Sequence, residues 1–215
     1  MRNLLKRRQA QAGHDSGFTM IELLIVMAIF SGIIAIATGV ILTVQKQTVE
    51  VQQRVDAVGE ARLAIAQIDR QVRSGNVLYN PTSETATAAT PYSMRIYTQA
   101  NGDERCVQWR VKALATGATA SALETRSWTP TWQSDGQVTA WRTVARGLLN
   151  VPKAVTPFSL YANGGDSSYG SRLMELHFVV QSAGTKSNDV FTSLAGRNTV
   201  YGYDLAICNP VPPGA

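Results

Sequence analysis

Glu22 is the residue whose position most needs a chemical explanation. Its carboxyl group stands directly before Leu23, the first of about 22 residues that pass without a charge as far as Val44. A carboxylate at membrane depth costs a few kcal/mol unless it finds a partner. Glu22 therefore either pairs with a cation supplied from elsewhere or lies at the headgroup level as a solvated end residue.

The two cysteines, Cys106 and Cys208, offer thiol chemistry. In an oxidising compartment they could form one disulfide, which would close a loop of about 100 residues and contribute ~4 kcal/mol on the chain-entropy model. Neither cysteine lies in a spacing typical of a metal or redox site. The sequence leaves both alternatives open, one disulfide or two separate free thiols.

Other catalytic or metal-binding groups are sparse. His177 is the only histidine after His14, and its alternating segment favours a packed or surface role. Oxygen atoms of residues 163–166, with those of Asp103 and Glu104, could contribute to a Ca²⁺ site, which needs about six to eight ligands. A solvated loop is the simpler interpretation. Because no nucleophile–base pair, carboxylate pair, phosphate-binding loop or metal cluster has a recognisable spacing, we expect no enzyme activity and no cofactor.

A membrane-length helix is the first element that must position these groups. At about 1.5 Å per residue, Leu23–Val44 would cover roughly 33 Å as a helix, enough to cross a bilayer core. Residues 1–17 carry four basic residues against one acidic residue. The positive-inside tendency therefore predicts a cytoplasmic N-terminus and an exported body. A secretory signal peptide would have its small-residue cleavage site after the apolar run, whereas Gly17 precedes it.

The string GFTMIELLIVMAIFSGIIAIA, which begins at Gly17, resembles the N-terminal signature of type IV pilins and type II secretion pseudopilins. In that family a prepilin peptidase cuts after the glycine and methylates the new N-terminus, and a glutamate stands at the fifth mature position. The resemblance implies cleavage between Gly17 and Phe18, N-methylation of Phe18 and an assembly role for Glu22. The carboxylate would meet the N-terminal amine of a neighbouring subunit inside an apolar core, where a low dielectric strengthens the pair.

The size and charge of the mature chain follow from this cut. Removing 17 of the 215 residues would leave 198, of which roughly 170 lie beyond the membrane segment, as in one ordinary domain. The net charge would fall from +5 to about +2, because the leader holds much of the basic excess. We therefore do not interpret the basic isoelectric point as a nucleic-acid-binding signature.

The helix is expected to continue past Val44. Apolar residues recur from Val51 to Val72 at helical spacing, polar residues fill the other faces, and no proline interrupts residues 18–73. The Ser74-Gly75-Asn76 sequence supplies the first C-terminal stop. A helix of about 55 residues is unusual in a globular domain. The pilin resemblance nevertheless implies this shape, an apolar half followed by a half packed on a sheet.

Alternating strands are predicted after an exposed loop at residues 80–91. Segments 92–98 and 105–112 flank Asn101-Gly102, a strong hairpin signal. Further strands are predicted at 122–128, 138–145, 158–161, 173–180 and 200–208. Residues 210–214 are expected to fray. The predicted fold class is α+β, with one long N-terminal helix on an antiparallel sheet, and the resemblance implies the type IV pilin fold.

Four tryptophans concentrate in about 33 residues: Trp109, Trp128, Trp132 and Trp141. They could form a contact patch for a neighbouring subunit, since Trp is enriched at binding hot spots. Three of them fall in predicted strands, which favours burial under the helix. Trp132, in a turn after Pro130, is the candidate for an exposed position.

A second resemblance concerns the subgroup. The segment 144–150 leading to 158–161, and the Arg197-Asn198 pair, are similar to minor pilins of the W type and to the minor pseudopilin J. The similarity covers about 100 residues and suggests only the subgroup. The cysteines at 106 and 208 depart from that pattern, so no detailed site is carried over.

Together these resemblances imply a structural minor pilin subunit that primes or caps a type IV pilus or a type II secretion pseudopilus. The chain would divide into a leader (1–17), a transmembrane half-helix (18–44), an amphipathic half-helix (45–75) and a β-rich periplasmic or extracellular head (76–215). Its partners would be other pilin subunits in a helical fibre, the prepilin peptidase, the inner-membrane assembly platform and, before assembly, lipid. Its location would be the inner membrane as a single-pass protein, then the pilus or pseudopilus.

The alternative function is a membrane-anchored pilin-like adhesin or sensor, or a DNA-uptake component, that binds an external ligand. Lys and Arg residues are scattered singly along the sequence. Because they form no stripe, nucleic-acid binding has no support from the sequence.

Overall fold

The computed structural model describes residues 17–114, 120–161, 172–182, 186–197 and 203–214. The C-terminal part of one long N-terminal helix packs on an antiparallel sheet, so the predicted α+β class is confirmed. The elements are α1 (Met20–Ser74), β1 (Gly75–Leu78), β2 (Tyr92–Thr98), β3 (Arg105–Ala113), β4 (Ser121–Trp128), α2 (Trp132–Asp135), β5 (Arg142–Leu148), β6 (Phe158–Leu160), β7 (Leu173–Gln181) and β8 (Ser187–Ala195). The chain divides into two compact units at Thr48–Val49.

The first unit holds residues 20–48 of α1. The predicted uninterrupted helix is confirmed, and every side chain of this unit from Met20 onward is exposed. Three of its hydroxyl groups bond within the helix: Ser31 Oγ donates to the Ala28 carbonyl, Thr43 Oγ1 to the Gly39 carbonyl and Thr48 Oγ1 to the Val44 carbonyl, each at 2.9 Å. Those polar groups therefore need no water, which suits an apolar environment.

The second unit begins with residues 49–74 of α1, which supply the helical side of its core. The buried helix residues are Ala61, Ala64, Ile68 and Val72, which recur every three or four positions along one face. The predicted apolar stripe is wrong at its start, since Val51 and Val55 are 59% and 58% exposed. The sheet packs only against the later turns. Trp109 of β3 also forms a hydrogen bond to the helix, since its Nε1 donates to Gln71 Oε1 at 2.7 Å.

The helix ends where predicted, but no loop follows it. Strand β1 starts at Gly75, directly after Ser74, and pairs with β2. A Cβ atom on Gly75 would lie 3.0 Å from Ile96 Cγ2 and 3.1 Å from each of the Gln71 and Val72 carbonyl oxygens. The glycine therefore serves a close backbone approach rather than a left-handed helix cap.

The sheet order is β1-β2-β3-β4-β5-β7-β6, with β8 paired to β7, and every pairing is antiparallel. The predicted hairpin is confirmed, with Tyr92 opposite Val111, Thr98 opposite Arg105 and Gly102 at φ +82° in the turn. The strands predicted at 122–128, 158–161 and 173–180 are confirmed within one residue as β4, β6 and β7.

Two predicted strands differ from the structure. The strand predicted at 138–145 begins at Arg142, because residues 132–135 wind into α2 and Val138 makes only an isolated bridge to Trp128. The strand predicted at 200–208 is wrong over its described residues, 203–208, which form turns in which Asp204 Oδ1 accepts from the Ala206 amide at 2.8 Å. Residues 200–202 lie outside the described residues. Strand β8 was not predicted.

The sheet buries apolar side chains on both faces. Alternate residues of a strand point to opposite faces, and β3 places Val107 and Trp109 in the core that includes the helix residues. Cys106 joins a second, smaller cluster with Val77, Tyr79, Tyr97, Trp128 and Cys208. The head therefore has an outer layer, which the last described residues help to build.

Candidate functional site

Gly17 and Phe18 lie just before the helix begins. Thr19 caps α1, because its carbonyl oxygen accepts from the Glu22 and Leu23 amides at 3.1 and 3.2 Å and its Oγ1 accepts from the Glu22 amide at 3.3 Å. Gly17 and Phe18 are therefore non-helical and exposed. No described atom lies within 4 Å of a Cβ built on Gly17. Packing in the described chain does not require glycine there.

Glu22 lies in the first turn of α1, the only acidic residue of that turn. The partial positive charge of the helix N-terminus favours a carboxylate there. Residues 23–45 carry no charge, so the next cation along the helix is Lys46, about 36 Å away at the rise of an α-helix. Among the described residues, Glu22 has no hydrogen-bond or ion-pair partner for its carboxylate. The charge remains available to a group from outside the described chain.

The apolar half-helix is exposed around its whole circumference. The exposed fraction is 61% for Phe30, 71% for Ile36 and 53% for Val44, with similar values for the apolar residues between them. Monomeric soluble proteins rarely expose one contiguous apolar surface of this size. The helix is long and apolar enough to cross a membrane, so it is compatible with a single-pass anchor.

The structure joins Cys106 of β3 to Cys208 in a disulfide, with their Cα atoms 5.7 Å apart and a sequence separation of 102. Both cysteines are buried in the outer layer. The Cys208 amide donates to Tyr79 Oη at 3.3 Å, and burial raises the pKa of that tyrosine above its ordinary value. The disulfide therefore fixes the chain immediately before residues 210–214.

Residues 210–214 are docked, so the prediction that they fray is wrong. Arg126 holds the middle of the segment, donating from Nη2 to the Pro212 carbonyl at 2.8 Å and from Nη1 to the Pro213 carbonyl at 3.1 Å. Burial, with a smaller effect from the nearby Arg110 charge, lowers the pKa of the Arg126 guanidinium to about 10. A buried cation is thus satisfied mainly by neutral carbonyl oxygens.

The tryptophans complete this docking. Trp132 Nε1 donates to the Pro210 carbonyl and Trp141 Nε1 to the Gly214 carbonyl, both at 2.9 Å. The Trp141 ring also stacks on Arg110 at 3.7 Å and on Arg126 at 4.5 Å from guanidinium carbon to ring centroid, a favourable cation–π geometry. Trp132 and Trp141 are half-buried. Of the three tryptophans predicted to lie under the helix, only Trp109 does, while Trp128 is buried in the outer layer.

Sequence reasoning missed this outer layer. Its contacts use main-chain carbonyl groups of residues 210–214, which have no side-chain signature in the sequence. One signal was available, because a bond between Cys208 and Cys106 would place the residues that follow Cys208 beside strand β3.

A buried ion pair lies beside the same segment. Arg95 Nε donates to both carboxylate oxygens of Glu84 at 2.7 and 2.8 Å, and its Nη1 donates to Asn209 Oδ1 at 2.8 Å. Burial raises the pKa of the Glu84 carboxyl, while the hydrogen bond and charge of Arg95 act in the opposite direction. All these groups already have partners, so the arrangement is structural rather than reactive.

The other sequence candidates lie apart from these sites. His177 Nε2 lies 3.1 Å from Asp189 Oδ1, and its ring packs edge-on against Phe191 on β8. Residues 163–166 lie outside the described residues. Within the described part of the chain, no three His, Cys, Asp or Glu residues lie close enough together to hold a metal ion.

The described geometry therefore contains an uncompensated carboxylate at the start of an exposed apolar helix, and a β-rich head with a docked outer segment. Comparison with protein-family models, with curated proteins and with solved structures gives no match for this chain.

Proposed function

We propose that this chain is a prepilin whose mature form is a structural subunit of a type IV pilus or type II secretion pseudopilus. The observation that carries the proposal is Glu22, a carboxylate in the first turn of a fully exposed apolar helix with no charge along the next 23 residues. A charge at that depth is costly unless it is paired. The amine of a neighbouring subunit's first residue, created by cleavage after Gly17, would be such a partner.

The mechanism follows from this pairing. The bilayer would hold the apolar half-helix until neighbouring helices replace the lipid, and each Glu22 would be neutralised by the Phe18 amine of an adjacent copy or relative. The head, with its β-sheet in the type IV pilin fold, would face the exported side. The W-type and pseudopilin J similarities favour a minor subunit that primes or caps the fibre.

Processing is tested first. The full chain is expressed with a prepilin peptidase, and the N-terminus of the product is determined by mass spectrometry. We expect the chain to begin at N-methylated Phe18, and Gly17→Leu to retain all 17 leader residues. A wild-type product that still begins at Met1 would contradict the proposal and favour a membrane-anchored adhesin or sensor that never enters a fibre.

Assembly is tested second, with Glu22→Gln, which removes the charge but keeps the side-chain shape. We expect normal insertion and cleavage, and fibre incorporation lowered on the order of tenfold or more, as the loss of a buried charge pair predicts. Glu50→Gln is the matched control, because it removes an exposed carboxylate from the same helix, 3.8 Å from Lys186. Equal incorporation of Glu22→Gln and wild type would refute the role of Glu22.

A further inference from the structure

A second site lies on the head, in a cleft between the last turns of α1 and strands β3, β4 and β5. The cleft has a volume of about 480 Å³, and its lining includes Arg70 and Gln67 of the helix and Arg105 and Arg142 of the sheet. None of its lining residues is Asp or Glu. We propose that this arginine cleft binds a short acidic segment of a partner protein.

The three arginines have unused hydrogen-bonding capacity. Within the described residues, Arg70, Arg105 and Arg142 form no ion pair, and the one side-chain bond among them runs from Arg142 Nη2 to Gln67 Oε1 at 3.3 Å. Arg126 also lines the cleft, but its guanidinium is engaged by Gln108 and residues 212–213. Each of the other three guanidinium groups that line the cleft can donate to both oxygens of a carboxylate.

Nearby carboxylates do not neutralise the cleft. Asp69 is paired with Arg73 at 2.7 Å. Asp135, whose pKa is lowered chiefly by a hydrogen bond from Thr129 and only last by the Arg105 charge, accepts from Thr129, Thr131 and the Gln137 amide. The partners of Asp135 are neutral, so its charge offsets part of the field of Arg105, but four arginines and no acidic residue line the cleft. The cleft therefore keeps a net positive potential.

The other lining groups favour a peptide over a nucleic acid. The Ser127 hydroxyl group and the Gln67 amide nitrogen can hydrogen-bond a peptide backbone, whereas the Ser74 and Thr125 hydroxyl groups already bond within the chain. The apolar lining consists of Ala100, Val107 and Ala140, without a Trp, Tyr or Phe. Proteins that bind single-stranded nucleic acid stack bases on aromatic side chains, and the cleft offers no such surface. The proposal does not depend on whether the chain enters a fibre.

The test measures peptide binding by the full chain in a non-ionic detergent. The probe is a fluorescein-labelled peptide with alternating Asp and Ser residues, and its fluorescence anisotropy is recorded at low and moderate salt. A peptide with Asn in place of Asp controls for charge. An oligothymidylate of equal charge controls for the class of ligand.

The decisive variants are two matched pairs of substitutions. Arg70→Gln with Arg142→Gln removes two exposed cleft charges, while Arg62→Gln with Arg146→Gln removes two exposed charges from the same helix and strand outside the cleft. We expect the cleft pair to weaken acidic-peptide binding on the order of tenfold and the control pair to leave it nearly unchanged. Higher salt should weaken wild-type binding.

Three results would overturn the proposal. They are no binding of the acidic peptide at low salt, equal weakening by both double variants, and oligothymidylate binding tighter than the acidic peptide. Equal weakening by both double variants would mean that the peptide is attracted by the net positive charge of the whole chain, including its leader. Tighter binding of oligothymidylate would mean that the cleft prefers nucleic acid. The processing and assembly tests are independent of these outcomes.

Discussion

Arg126 Nη2 donates to the Pro212 carbonyl at 2.8 Å, a bond that spans 86 residues of sequence. Arg126 is 4% exposed and has no carboxylate partner among the described residues. The dipoles of carbonyl groups therefore stabilise the buried charge. This stabilisation requires the guanidinium to donate to two carbonyl oxygens at once. The contact makes residues 210–214 part of the head rather than a loose tail.

The first prediction concerns that fork. Arg126→Lys keeps the charge but cannot reach both carbonyl groups or stack equally well on Trp141, so we expect a loss of about 1–2 kcal/mol in the free energy of unfolding. Urea unfolding followed by tryptophan fluorescence measures it, and hydrogen exchange at the Val211 and Gly214 amides should accelerate. Arg142→Lys is the control, since Arg142 is exposed, and should change stability by less than about 0.5 kcal/mol. Equal effects of the two variants would contradict the prediction.

The second prediction concerns the disulfide. Replacing Cys106 and Cys208 together by Ala opens a loop spanning 102 residues, so we expect a loss of about 4–5 kcal/mol in the free energy of unfolding. Amide exchange at Val211 and Gly214 should rise as well, because Cys208 holds the chain directly before them. A thiol reductant should destabilise the wild type and leave the double variant unaffected. The prediction fails if the variant unfolds at the same urea concentration as the wild type.

The sequence predicted the elements whose signal is local. An unbroken apolar run without proline is enough to predict α1, and Asn-Gly between alternating segments is enough to predict the β2–β3 hairpin. The candidate site at Gly17, Phe18 and Glu22 is likewise contiguous, so its residues could be named without a structure.

Elements without a local signal were missed. Strand β1 has only four residues and follows the helix with no turn between them, so it reads as the end of the helix. Strand β8 buries one residue, Leu194, and an edge strand of this kind lacks the apolar alternation of an internal strand. The docked segment 210–214 is fixed by contacts with residues far away in sequence, which no pattern within the segment can indicate.

The third prediction compares Gly59, which lies within α1, with Gly75, which directly follows the last residue of α1. Gly75→Ala would place a Cβ 3.1 Å from two carbonyl oxygens of the last helical turn, and a backbone cannot yield as a side chain can. We expect a loss of about 1–3 kcal/mol in the free energy of unfolding. Gly59→Ala meets no atom within 4 Å among the described residues, so it should stabilise the helix by roughly 1 kcal/mol. Thermal unfolding measures both, and changes of the same sign would show that close approach is not the reason for Gly75.

The last prediction uses the titration of Glu84. Because burial raises its folded pKa above the ordinary 4.5, the folded chain binds this proton more tightly than the unfolded chain does. The associated stability is fully present below the unfolded pKa and is lost as the pH rises through the folded pKa. We therefore expect the free energy of unfolding of wild type, relative to Glu84→Gln, to fall as the pH rises from about 4.5.

Asp135 supplies the control of opposite sign for this titration. Hydrogen bonds, first that from Thr129, lower its folded pKa, so its stability contribution is present above the unfolded pKa and is lost as the pH falls through the folded pKa. Relative to Asp135→Asn, wild type should gain stability as the pH rises through the acidic range. Urea unfolding between about pH 3 and 7 follows both differences. If the Glu84 difference instead grew with pH, attraction to Arg95 would outweigh the cost of burying the carboxylate, and the ion pair would be a net source of stability at neutral pH.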